Sequence, residues 1–109
     1  MSSLSAEHTF TIEHNGESLT FTFSMPSMRQ RTQIGVAEAR MRDGVQAEDL
    51  DPLTRSLINQ LCFLSVTVKC PDGVKFTEHT DPYLMNKVFQ EVLDYEGRFL
   101  DERSPQRED

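Results

Sequence analysis

Any chemistry in this chain would have to come from three histidines, two cysteines, a run of arginines and a scatter of acids and serines. His8, His14 and His79 stand apart from one another and from the cysteines, so the short-spaced ligand set of a zinc site is missing. Cys62 and Cys70 are too few for a disulfide framework. Cys62 lies among apolar residues, where a thiol acts as a small hydrophobe, and Cys70 falls in a loop. A catalytic nucleophile needs a serine or cysteine beside a base, commonly on a sharp glycine turn. The serines here fall in tails, in a hairpin and at helix caps. There is no G-x-S-x-G and no glycine-rich phosphate loop, and the chain has five glycines in all. With 18 acids, pairs at helical spacing arise by chance and carry no information. No catalytic residue, cofactor or metal ligand is predicted, and the chain is expected not to be an enzyme.

The arginines are the stronger signal. Residues 27–43 carry Arg29, Arg31, Arg40 and Arg42 against Glu38 and Asp43, a net +2 that leaves −9 for the rest of the chain. At about 100° per residue, Arg29 and Arg40 lie on one flank of a helix and Arg31 and Arg42 on the other. Split in this way, and without an aromatic platform, they do not form the continuous basic stripe that nucleic acid requires. The overall charge of −7 excludes a general nucleic-acid or anionic-membrane binder. No apolar run approaches the ~20 residues that span a bilayer, and the start lacks a signal peptide's basic and apolar regions. A cytoplasmic protein without membrane contact is expected.

The elements that position these residues read clearly in places. Phe10 and Ile12 alternate with threonines, as do Leu19, Phe21 and Phe23, and Asn15-Gly16 between them is a type I′ turn pair. A two-residue loop there sets His14 opposite Glu17, Ile12 opposite Leu19, Phe10 opposite Phe21 and His8 opposite Phe23. Apolar residues then share one face, which must pack on helices, and Thr11 meets Thr20 on the other.

Ser27 caps a first helix running to Asp43-Gly44, with Gln30, Ile34, Ala37 and Met41 in one narrow stripe. Gly35 weakens it and offers another backbone a close approach. After an acidic linker, Asp51-Pro52 starts a second helix, in which Leu53, Leu57, Leu61, Leu64 and Val68 fall within about 80°. Phe63 and Val66 lie outside that arc. The β-branched Val66-Thr67-Val68 also reads as a short strand. Asp81-Pro82 starts the last helix, whose apolar arc of Leu84, Met85, Val88, Phe89, Val92, Leu93, Tyr95, Phe99 and Leu100 is wider than one core needs. The expected fold is α+β, a single small domain with an N-terminal β-hairpin packed on about three α-helices. It spans residues 8–101, between a disordered start (1–7) and a disordered polar tail (102–109).

A strand pair ending F-x-F-x-M-P (Phe21, Phe23, Met25, Pro26) leads into an Arg-rich helix opened by S-M-R-Q-R. An acidic linker, a D-P-started leucine helix and a C-P-D-G turn follow. A second D-P-started helix then ends Tyr95-Glu96-Gly97-Arg98-Phe99. In this order the chain resembles, over residues 8–101, the small tail assembly chaperones of long-tailed, HK97-like bacteriophages (siphophages). The resemblance implies a non-catalytic, self-associating factor. Such a factor binds the long helical tape measure protein, keeps it soluble and recruits tail tube subunits, then leaves before the virion is complete. It also implies a longer form made by ribosomal frameshifting, appended beyond the polar tail, that contacts the tail tube protein.

The family has no short binding motif to carry over, so sites follow from the residue pattern alone. Phe63, Val66, Phe89, Val92 and Phe99 are the candidate apolar partner contacts, with burial in the core the alternative for Phe63, Val66 and Phe99. Arg29, Arg31, Arg40 and Arg42 are the candidate self-association residues, the alternative being that they rim the apolar stripe and pair with acids of the same chain. The alternative is a small dimeric adaptor or regulatory protein that binds a host or phage protein.

Overall fold

Asn15 and Gly16 have φ of 52° and 81°, the left-handed region that lets a two-residue turn follow the twist of its strands. They join β1 (Glu7–His14) to β2 (Glu17–Ser24) in a computed structural model that describes residues 4–78 and 81–103. The register is the one expected from the alternation: His14↔Glu17, Ile12↔Leu19, Thr11↔Thr20, Phe10↔Phe21 and His8↔Phe23. On the solvent face Thr9 pairs with Thr22 and Thr11 with Thr20 through their hydroxyls, each at 3.1 Å.

Ser27 then caps α1 (Met28–Arg42). Its side chain accepts from the Gln30 N–H, and the Gln30 side chain accepts from the Ser27 N–H, a reciprocal capping box. Asp43, at φ 50°, ends the helix. Asp51 caps α2 (Pro52–Thr67) by accepting both the N–H and the hydroxyl of Thr54, at 2.9 and 2.8 Å. Those two donors hold the Asp51 carboxyl below the ordinary aspartate value, the backbone donor contributing most. Asp81 likewise accepts from the Tyr83 N–H at the start of α3 (Pro82–Arg103). Single 3-10 turns occupy Ala47–Asp49 and Phe76–Glu78 in the two long connections.

The second helix departs from the expected apolar arc at both ends, and at the second end the alternative strand reading holds for Val68. Leu53, expected in the apolar arc, is 69% exposed. At the other end the helix stops at Thr67, whose hydroxyl donates to the Phe63 carbonyl, and Val68–Lys69 form β3. This strand pairs with β2 through Thr22↔Lys69 and Phe23↔Val68, making a three-stranded antiparallel sheet in the order β1-β2-β3. Val68 therefore belongs to the sheet and not to the helical stripe.

The core forms where the aromatic face of the hairpin meets α2 and α3: Phe10, Phe21, Phe23, Leu64, Leu84, Met85, Val88, Val92 and Tyr95. His8 lies flat on Tyr95, with ring centroids 4.1 Å apart, and its Nε2 is 3.0 Å from Glu91 Oε2. At the other end of β1, His14 Nε2 is 3.1 Å from Asp81 Oδ2, an ion-pair distance without hydrogen-bond alignment.

Structure begins before residue 8 and continues past residue 101. The Tyr95 hydroxyl donates to the Ser5 carbonyl, and the Leu4 N–H donates to Glu102 Oε1 at 2.6 Å. The expectation of disorder thus fails for Leu4–Glu7, which packing and hydrogen bonds tie down, and for Glu102–Arg103, which complete α3. Residues 1–3 and 104–109 lie outside the described residues.

Candidate functional site

The arginine helix α1 is the least covered of the three. Of its fifteen residues Ile34 alone is buried, while Met28 is 79% exposed and Val36 and Met41 about half exposed. Its inner stripe packs as expected: Ile34 is buried, Gln30 and Ala37 are half-buried, and the Met41 sulfur lies 3.6 Å from Cys62 Sγ. Asn59 of α2 adds a hydrogen bond to Glu38 at 2.9 Å. Gly35 receives no close approach: a Cβ there would meet nothing within 4 Å. That expectation is overturned because the glycine faces open solvent.

The two arginine flanks have different partners. Arg31 crosses to α3 and pairs with Glu96 at 3.0 Å, and Arg42 donates from Nε to the Val45 carbonyl at 3.2 Å. Arg29 and Arg40 form no ion pair among the described residues; with Thr32, Gln33, Val36 and Ala37 they line a shallow groove on the outer face of α1. Thus two of the four candidate self-association residues are occupied within the chain and two stand free.

The five apolar candidates also divide. Val92 is completely buried at the centre of the core, so it cannot contact a partner, and its assignment is corrected. The wide apolar arc of α3 had left open which residues face inward; the hairpin decides it, its buried Phe10, Phe21 and Phe23 sharing one core with Val88, Val92 and Tyr95 of α3. Phe63 and Phe89 are half-buried and meet edge to face at 6.1 Å, with Phe63 also against Phe23. Val66 is half-buried. Phe99 is half-buried beneath the Arg103 guanidinium, 4.3 Å above its ring. Four candidates therefore keep some accessible surface.

An apolar cleft that the residue pattern did not single out lies elsewhere on the molecule. It is about 380 Å³ and lies between α2, the Phe76 turn and the start of α3. Its walls include Met41, Leu57, Ile58, Leu61, Phe76 and Met85, with Thr54, Thr77 and Asp81 as polar members. Leu53 and Tyr83, 69% and 70% exposed, are next along the chain to two of its lining residues, Thr54 and Pro82. The excess apolar residues of α2 and α3 were its one sequence signal. They could not locate it, because the cleft depends on how the 74–78 connection crosses the two helices.

Both thiols are pushed above their ordinary value by burial, and for Cys62 the Glu38 carboxylate adds to the effect, so neither is poised as a nucleophile. Among the described residues no group of three His, Cys, Asp or Glu could hold a metal ion, and no helix is long and apolar enough to cross a membrane. His79 lies outside the described residues. No protein-family model, curated protein or solved structure matches the chain.

Proposed function

We propose that the chain is a tail assembly chaperone of a long-tailed bacteriophage. It acts in the host cytoplasm as a non-catalytic, self-associating factor that binds the tape measure protein and keeps it soluble. It helps to recruit tail tube subunits, mainly through a longer frameshifted form, and is absent from the mature virion. The observation that carries this reading is the open apolar cleft walled by Leu57, Ile58, Leu61, Phe76 and two methionines. A long amphipathic helix offers apolar side chains at i, i+3/i+4 and i+7, and a groove of this kind takes such a row. Methionine adapts to irregular partners, as binding to successive stretches of one long helix demands. Several copies on one partner would convert weak single contacts into useful avidity, and a charge of −7 limits aggregation of the chaperone itself.

Co-expression of the chain with overlapping fragments of the tape measure protein tests the reading. The expected outcome is a larger soluble fraction and co-purification for the amphipathic fragments, with loss of both in Ile58→Glu, which places a charge in the cleft wall. A folded chain that leaves every fragment insoluble would refute it and favour the dimeric adaptor.

A further inference from the structure

One long edge of the sheet is open. β2 pairs β1 along its whole length, and among the described residues no strand lies on the other side of β1. The two-residue loop makes His14↔Glu17 a hydrogen-bonded pair. Even-numbered residues of β1 therefore turn their backbone groups toward β2, and odd-numbered ones turn theirs outward. Two further bonds agree with that parity: the Met25 N–H donates to the Ala6 carbonyl at 2.8 Å, and Lys87 Nζ donates to the Glu13 carbonyl at 3.1 Å from outside. The outward backbone groups of Thr9 and Thr11 make no hydrogen bond to another described residue. Of the usual edge protections β1 lacks a proline, a lysine of its own and a break in its eight-residue register, while charge is confined to Glu7 and Glu13 near its ends, where Lys87 meets the Glu13 carbonyl.

We propose that this edge pairs with β1 of a second copy, antiparallel about a twofold axis at Thr11, giving one continuous six-stranded sheet. This deepens the self-association in the functional reading and places it on the sheet edge instead of the arginine helix. The strand is self-complementary in that register. Thr11 faces Thr11, Thr9 faces Glu13, Phe10 faces Ile12 and His8 faces His14, so ~6 backbone hydrogen bonds form and the apolar face stays on the helix side. The neighbouring register, centred on Phe10, would oppose Glu7 to Glu13 and is disfavoured by like charge.

The helix beside the edge supports the same axis. Lys87 is 3.4 Å from His14 and Glu91 is 3.0 Å from His8, so α3 runs antiparallel to β1. The twofold then brings Lys87 of one copy toward the Glu91 and Asp94 end of α3 in the other, setting opposite charges together. An open groove of about 490 Å³, lined by Thr11, Ile12, Glu13, Asn86, Gln90 and Asp94 among others, leaves room along the edge.

Sedimentation equilibrium of the full chain over a range of concentration, with amide hydrogen exchange at Thr9 and Thr11, tests this without any tape measure protein present. The expected mass is two copies or a multiple of two, with those two amides exchanging at least ~100-fold more slowly in the associated state. Thr11→Lys opposes like charges at the axis and should weaken association at least ~10-fold; Thr20→Lys, on the same face but on β2, should leave it unchanged. A chain that stays monomeric, or that associates with freely exchanging Thr9 and Thr11 amides, overturns the proposal. So does association unmoved by Thr11→Lys, and so does protection that appears only when a strand from another protein is added. Should Thr11→Lys fail to fold, exchange in the unaltered chain decides alone.

Discussion

Gly35 and Gly97 sit within helices where a methyl group would meet nothing within 4 Å. Each leaves the unfolded chain extra freedom and gives no packing in return. Gly35→Ala and Gly97→Ala should each raise stability by about 0.5–1 kcal/mol in urea unfolding. Asp51 makes a different prediction, in pH. Its folded carboxyl is held below the ordinary value of 3.8, so its stabilisation is full above that value and is lost as pH falls through the lower folded one. Asp51→Asn keeps a cap acceptor and should flatten that part of the stability curve below about pH 4. Val92 shows how far single residues could be read. Its apolar type and helical spacing were visible, but burial depends on what lies across from it. As a core residue, Val92→Ala should cost about 2 kcal/mol through lost packing. A change within a few tenths would return it to the surface.

Elements whose rules are local were legible. The Asn15-Gly16 turn, the strand alternation and the caps at Ser27 and Asp51 depend on neighbouring residues only, and each is where the sequence put it. The division at Thr67 depends on a distant partner: Val68 leaves the helix because β2 offers it a ladder. The arginine helix was legible in its flanks but not in their use, since Glu96, 65 residues away, takes Arg31. A double-mutant cycle between Arg31 and Glu96 should return a coupling of about 0.5–1 kcal/mol, modest because Arg31 is partly in water. Substituting Arg29 and Arg40 by glutamate should leave stability within about 0.5 kcal/mol. With one buried residue, α1 should also exchange its amides faster than α2 and α3 in the native state.

At the scale of the whole molecule, charge patterning suggested an assembly unit, and the fold directs attention to other surfaces. The apolar cleft and the open sheet edge arise from how elements meet, so composition and periodicity could not locate them. The same is true where the chain's first and last described segments meet. The Arg103 guanidinium donates to the Leu4 carbonyl at 2.9 Å, while Glu102 accepts from the Leu4 N–H. The backbone thus runs nearly full circle, and sequence order is only one of several ways to thread it. A circular permutant joining these segments by a short linker and opened at the exposed Asp72-Gly73 turn should keep the native fold. It would make the hairpin's pairing with α3 a local event, while α2 and α3 would become the distant partners. Its refolding rate, compared with that of the original order, would show which closure limits the search.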